Sequence, residues 1–89
     1  MPISIHDPRY QVLQAQLTQL RQAAGLTQVQ LAERLKLGQS FVSKIERGEA
    51  YVEVLLLIEW CAACGGQATD IIRQLTQQSS KVKVVAQKT

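Results

Sequence analysis

Between Thr27 and Gly48 the apolar residues fall where two short helices crossing at a steep angle have to touch, and few other folds can use that pattern. Counting Gln28 as position one, Leu31, Ala32, Leu35, Leu37, Val42 and Ile45 occupy positions four, five, eight, ten, fifteen and eighteen. Thr27 and Gln30 make a TxxQ capping box at the start of the first of these helices. Lys36-Leu37-Gly38 is a tight turn, and the second helix begins at Gln39. Ala32 is small because the second helix passes closest there. Within Gly38 to Gly48, reading GQSFVSKIERG, Val42 and Ile45 lie three apart on one apolar face, while Gln39, Ser40, Ser43 and Lys44 project hydrogen-bonding groups away from the core. One side packs and the other is free to read a partner.

The remaining residues must supply the core for this pair of helices. With 89 residues, the chain holds one small domain with a single core of four or five helices. An apolar fraction of 46%, two prolines and four aromatic residues favour a folded, all-helical chain. The N-terminus lacks the basic segment and long apolar stretch of a signal peptide. The longest apolar run, Val54 to Ile58, falls far short of the ~18 residues of a membrane span. The expected location is the cytoplasm of a bacterium or phage-infected cell, with reduced thiols.

Charge is polarised along the chain. Arg21, Arg34, Lys36, Lys44 and Arg47 against Glu33 and Glu46 give residues 21–47 a local charge of +3, whereas Arg73 against Glu49, Glu53, Glu59 and Asp70 gives residues 48–78 a local −3. A basic middle, an acidic second half and three lysines near the end suit a protein that turns one face toward an anionic partner and another toward solvent or a second subunit.

Residues 1–6 read as an N-terminal arm, with Ile3 and Ile5 alternating. Asp7 followed by Pro8 starts a first helix, carried by Leu13, Leu17, Leu20 and Ala24 and ended by Gly25. Two short helices on a three-residue turn, at Thr27 to Gly48, form the helix-turn-helix arrangement.

The run from Leu20 to Gly48, LRQAAGLTQVQLAERLKLGQSFVSKIERG, resembles the Cro/C1-type, or XRE, family of bacterial and phage regulators through LTQxxLA and then QSxVSxxExG in register. Weaker similarity extends to about Leu75. The resemblance implies a compact five-helix, lambda-repressor-like DNA-binding domain over residues 7–78, usually dimeric, with its third helix in the major groove. Gln28 matches the glutamine that contacts a phosphate and braces the recognition helix, with Thr27 beside it at the positive end of helix 2. Gln39 and Ser40 match positions that touch base edges, with Ser43 and Lys44 one turn further along; a glutamine amide can pair with adenine N6 and N7, and Lys44 with guanine or a phosphate. Arg47 joins the phosphate-contacting set. Phe41 has two readings, contact with a thymine methyl or the sugar-phosphate backbone, and packing beside helix 2. Arg21 and Glu46 match the ion pair that lies under the motif in this family.

Two positions depart from the family pattern. Position 36 is usually glycine in a left-handed conformation, and lysine there costs about 1 kcal/mol unless Gly38 absorbs the turn. After Gly48 the chain reads Glu49-Ala50-Tyr51 in place of backbone-gripping arginines. Fewer phosphate contacts imply a shallower salt dependence.

Helix 4 is expected from about Val52 to Cys64 with two apolar stripes. Val54, Leu57 or Ile58, Cys61 and Cys64 or Gly65 face the core, and Val52, Leu56, Trp60 and Ala63 are candidates for a dimer interface shared with a helix 5 at roughly Ala68 to Gln77, the other reading being a helix simply sunk in its own core. The Cys61-x-x-Cys64 spacing has no second pair and no nearby histidine, so it reads as small buried side chains rather than a metal or redox site. No cofactor is expected, and no paired nucleophile and base points to an enzyme. Residues 79–89 form a basic tail, either a short strand at Lys81 to Val84 or a mobile segment. The function that follows is sequence-specific binding of double-stranded DNA by a homodimeric transcriptional regulator, a repressor, associated with the nucleoid. The alternative is an antitoxin-like interaction module that binds a protein partner through helix 4 or the tail, with DNA binding secondary.

Overall fold

A computed structural model describes residues 3–82 and shows five helices: α1 (Pro8–Ala23), α2 (Gln28–Leu35), α3 (Gln39–Glu46), α4 (Val54–Ala63) and α5 (Ala68–Val82). This is the all-α architecture expected. The starts of α1, α2 and α4 are set by side chains that accept the free first-turn N–H groups. Asp7 takes the N–H of Arg9 at 2.8 Å, with Pro8 at the first helical position. At α2 the capping box is complete: Thr27 Oγ1 accepts from Gln30 N at 3.1 Å, and Gln30 Oε1 accepts from Thr27 N at 2.9 Å. Glu53 caps α4 by accepting from Leu56 N at 3.1 Å. That cap moves the start of α4 to Val54, two residues later than its apolar pattern suggests.

Helices α1 to α4 all leave through the same turn, in which one residue adopts a left-handed conformation and two N–H groups return to the last helical carbonyls. In α1 the N–H of Leu26 reaches Arg21 O at 3.1 Å; in α2, Leu37 N reaches Ala32 O at 2.9 Å; in α3, Glu49 N reaches Lys44 O at 2.8 Å; in α4, Gly66 N reaches Cys61 O at 2.8 Å. The left-handed residue is Gly25, Gly48 or Gly65 in three cases and Lys36, at φ 58°, in the fourth. Gly38 has φ −73° and absorbs none of it. The turn between α2 and α3 therefore carries its lysine in the strained conformation.

The core is built from Leu13 and Leu17 of α1, Leu31 and Ala32 of α2, Val42 and Ile45 of α3, Leu57, Trp60 and Cys61 of α4, and Ile71 of α5. Helix α2 packs against α3 and α4, and α1 against α3, α4 and α5. Ala24, at the α1 C-cap, is exposed rather than part of the apolar stripe.

Helix α4 is turned differently from its sequence reading. Trp60 is fully buried and its indole N–H donates to Leu17 O of α1 at 3.1 Å, so it is a core anchor and not an interface residue. Leu56 and Ala63 flank it, half-buried, as does Val52 ahead of the helix. The largest apolar side chain takes the centre of the domain and carries its neighbours inward. The residues displaced outward are Val54, Leu55 and Ile58, exposed by 61%, 64% and 46%.

The chain ends differ as well. The Ile3 carbonyl accepts from the Tyr51 hydroxyl at 3.1 Å, and the Asp7 N–H returns to Ser4 O at 3.0 Å, so residues 3–6 form a turn held to the body rather than a free arm or strand. Tyr10 and Tyr51 meet edge to face beside it, with centroids 5.1 Å apart. Helix α5 continues to Val82, past the expected boundary at residue 78, which replaces the strand reading at Lys81 and Val82. Lys83, Val84 and the remaining tail lie outside the described residues.

Candidate nucleic-acid interface

Helix α3 is anchored by Val42 and Ile45, 0% and 1% exposed, and by the inward-turned carboxylate of Glu46, while its other side chains face outward or sideways. Gln39, Ser40, Lys44 and Arg47 are exposed, with Ser43 half-exposed among them. Positions 40, 43, 44 and 47 recur at helical spacings of three and four, so they form one strip along α3 and its C-cap. Phe41 lies beside the strip with its ring 37% exposed and is not part of the core cluster.

A partly buried polar relay runs from beneath this strip to its first residue. Arg21 of α1 grips Glu46 at the end of α3 with two bonds, Nε to Oε2 at 2.7 Å and Nη2 to Oε1 at 3.0 Å, and its Nη1 donates to Leu26 O at 2.8 Å. The two side chains are only 13% and 6% exposed. The Glu46 bond raises the Arg21 pKa further above its usual range, so this arginine is charged throughout. Gln28, the first residue of α2, donates from Nε2 to Glu46 Oε1 at 3.0 Å, and its own Oε1 accepts from Gln39 Nε2 at 3.4 Å. The relay thus runs from the α1 C-terminus, through Glu46 and Gln28, to the first residue of α3. Gln39 keeps its Oε1 and its second amide hydrogen, the pair of groups that a bidentate contact with adenine requires.

The structure brings Arg21, Glu46, Gln28 and Gln39 together, and leaves Ser40 and Lys44 projecting from the surface. Thr27 has its hydroxyl committed to the α2 cap. Arg47 is occupied differently. It pairs with Glu49, Nε to Oε2 at 3.2 Å and Nη2 to Oε1 at 3.0 Å, while Nη1 donates to Ser43 Oγ. That bond also engages the Ser43 hydroxyl.

Gln14 was not among the residues singled out from the sequence. Its Nε2 donates to Glu46 O at 3.2 Å, so it holds the α3 C-terminus from the α1 side. The available signal is its spacing, since Gln14 and Arg21 are seven residues, two turns, apart on one face of α1. Arg34 also escaped notice as a structural residue; its Nη1 donates to Ala63 O at 2.9 Å and satisfies a terminal carbonyl of α4. Cys61 is buried, and burial pushes its thiol and that of Cys64 upward, away from the reactive thiolate. Among the described residues no helix is long and apolar enough to cross a membrane.

Comparison with known proteins agrees with this geometry. Residues 13–71 match the model of a helix-turn-helix domain family. An XRE-family like protein from Pseudomonas syringae pv. tomato str. DC3000 superimposes with a TM-score of 0.76 and 39% identity, over 84% of this chain and 92% of that one. The clp gene regulator ClgR from Corynebacterium glutamicum superimposes in one structure with a TM-score of 0.68 and 27% identity, over 82% of both chains. A second ClgR structure gives 0.69 and 29%, over 78% of this chain and 88% of that one. A search of curated proteins finds no match. The motif, its buried relay and these likenesses lead to one assignment: the chain belongs to the XRE-type helix-turn-helix family of DNA-binding transcriptional regulators, which are not enzymes.

Proposed function

We propose that this protein is a homodimeric repressor that places α3 of each subunit in successive major grooves of a palindromic operator, about 34 Å apart. The observation that carries the reading is the relay ending on Gln39. It fixes the first side chain of α3 while leaving both of its base-reading groups unused. Gln39 reads adenine, and Lys44 takes guanine or a phosphate one turn on. Ser40 and Ser43 complete the base-facing strip. The α2 N-terminus, with Thr27 and Gln28, takes a backbone phosphate on N–H groups that no helical carbonyl can accept. Arg47 contacts the backbone at the other end of α3, and Phe41 offers its exposed ring to a thymine methyl or a sugar.

The subunit contact belongs on the face that α4 turned outward. Val54, Leu55 and Ile58 are exposed there, and Ile72 of α5 is 44% exposed. Val54 and Ile72 line one groove of about 330 Å³ together with Ile3, Tyr10 and Leu75. This continuous apolar surface supports a dimer better than Trp60, whose ring is in the core. A regulator of this kind works in the cytoplasm, on the nucleoid.

Selection of bound DNA from a random pool tests the reading. An enriched palindrome is expected, and replacing Gln39 and Lys44 together by alanine must abolish its capture while helicity and dimerisation survive. Failure to enrich any sequence would overturn the operator reading. Capture of a protein partner that survives the double replacement would favour the interaction-module alternative, which the same exposed α4 face could serve.

A further inference from the structure

We propose that Glu49 is an internal stand-in for a DNA phosphate, which holds Arg47 closed until a backbone phosphate takes its place; the inference rests on the DNA-binding reading above. Arg47 lies on the exposed strip of α3, in line with Ser40, Ser43 and Lys44. Nε and Nη2 of its guanidinium meet the two oxygens of one carboxylate, and its Nη1 meets Ser43 Oγ. A carboxylate and a phosphate both offer a guanidinium a pair of anionic oxygens for two parallel hydrogen bonds, so a side chain set to grip Glu49 is also set to grip the DNA backbone.

The partner is held in position by the main chain. The Glu49 N–H is bonded to Lys44 O at 2.8 Å, and Gly48 before it is left-handed at φ 77°. A side chain at position 48 would run into the Gln14 amide, and the left-handed backbone there suits glycine, so the residue that presents Glu49 is itself constrained. The carboxylate is held below its usual range, first by its bond to Arg47 and also by the charge of Lys44, so it is ionised at neutral pH and offsets one positive charge of the reading edge. Both side chains of the pair are more than half exposed, at 52% and 55%. Water and salt therefore screen the pair, and it opens at small cost. The arrangement is an exchange rather than a lock. A phosphate gains the Arg47 contact only by releasing Glu49, so the arginine adds little to net affinity or to counterion release.

Equilibrium binding of a random-sequence duplex and of the selected operator tests this, with the full chain as wild type, Glu49→Gln, Arg47→Ala and the double variant. Glu49→Gln is expected to bind both duplexes about threefold tighter or more, and to steepen the dependence of log K on log salt by about 0.9, the contribution of one added phosphate contact. The ratio of operator to random affinity stays the same, because a backbone contact carries no sequence information. In the Arg47→Ala background the same replacement gives no steepening. The inference is overturned if Glu49→Gln binds as wild type does, or if its gain persists undiminished without Arg47, which would make Glu49 a simple repulsive charge. Absence of binding by wild type and all variants, even at low salt, would instead bring down the DNA-binding reading, and this inference with it.

Discussion

Two arginine–glutamate pairs meet the C-terminal end of α3, and they differ in almost everything except chemistry. Arg21 and Glu46 come from different helices, twenty-five residues apart in the chain, lie 13% and 6% exposed, and Glu46 takes Gln28 as a further partner. Arg47 and Glu49 are separated by one residue, stand more than half in solvent, and share only Ser43. In the first pair both charges are largely shielded from water and find their hydrogen bonds within the protein. In the second both have water and salt ions to choose from. The buried pair therefore fixes where α3 points, and on the proposed reading the exposed pair sets how strongly its end can be gripped.

The comparison can be broken by experiment. Its largest expected effect is on Glu46. Glu46→Ala leaves Arg21 buried without its partner and should cost about 3 kcal/mol in urea unfolding, and a neutral result would remove the buried pair from the argument. Gln28→Ala comes next, at about 1–2 kcal/mol, because Glu46 loses one donor but keeps Arg21. The same variant should weaken operator binding by freeing Gln39; unchanged operator affinity would show that the relay does not orient the reading residue. Lys36→Gly should raise stability by about 1 kcal/mol, by relieving the left-handed lysine at φ 58°. This variant supplies a sturdier background in which to remeasure the other two. Glu49→Ala should leave the urea midpoint unmoved in both low and high salt, and a clear loss would mean that the exposed pair carries structural load.

The smallest effect separates either pair from a third. Arg9 holds the Asp7 carboxyl down to about 2, first through their side-chain bond and then through the Arg9 N–H. A carboxyl depressed in the folded state contributes stability that is present above its ordinary value of 3.8 and lost as pH falls through about 2. Circular dichroism of wild type and Asp7→Asn should diverge above pH 4 and converge near pH 2. Divergence that persists at the acid end would point to a role for Asp7 other than that of a charged cap.

The half of the molecule around these pairs was far more legible than the other half. From Thr27 to Gly48 apolar spacing, capping residues and turn composition all agree, so the elements and their core positions Leu31, Ala32, Val42 and Ile45 can be read directly. Agreement of this kind is what makes a sequence readable. Helix α4 offers no such agreement. With Val54 to Ile58 all apolar, its inward face could not be chosen by periodicity, and the choice made by Trp60 depends on a partner carbonyl at Leu17, forty-three residues away. Glu49 escaped for a different reason. A residue two positions after Arg47 is on the wrong side of a continuing helix, and only the left-handed Gly48 swings it back.

One consequence of the way α3 is held concerns redesign. Its grip on the core depends on Val42 and Ile45, with Glu46 tied from beneath by Arg21. Ser40 and Lys44 touch none of that machinery and can be exchanged like the teeth of a key without recutting its shaft. Gln39 is the one tooth that the shaft itself steadies, so a library that varies positions 40 and 44 while keeping Gln39 and Gln28 should yield new operator preferences from proteins that still fold.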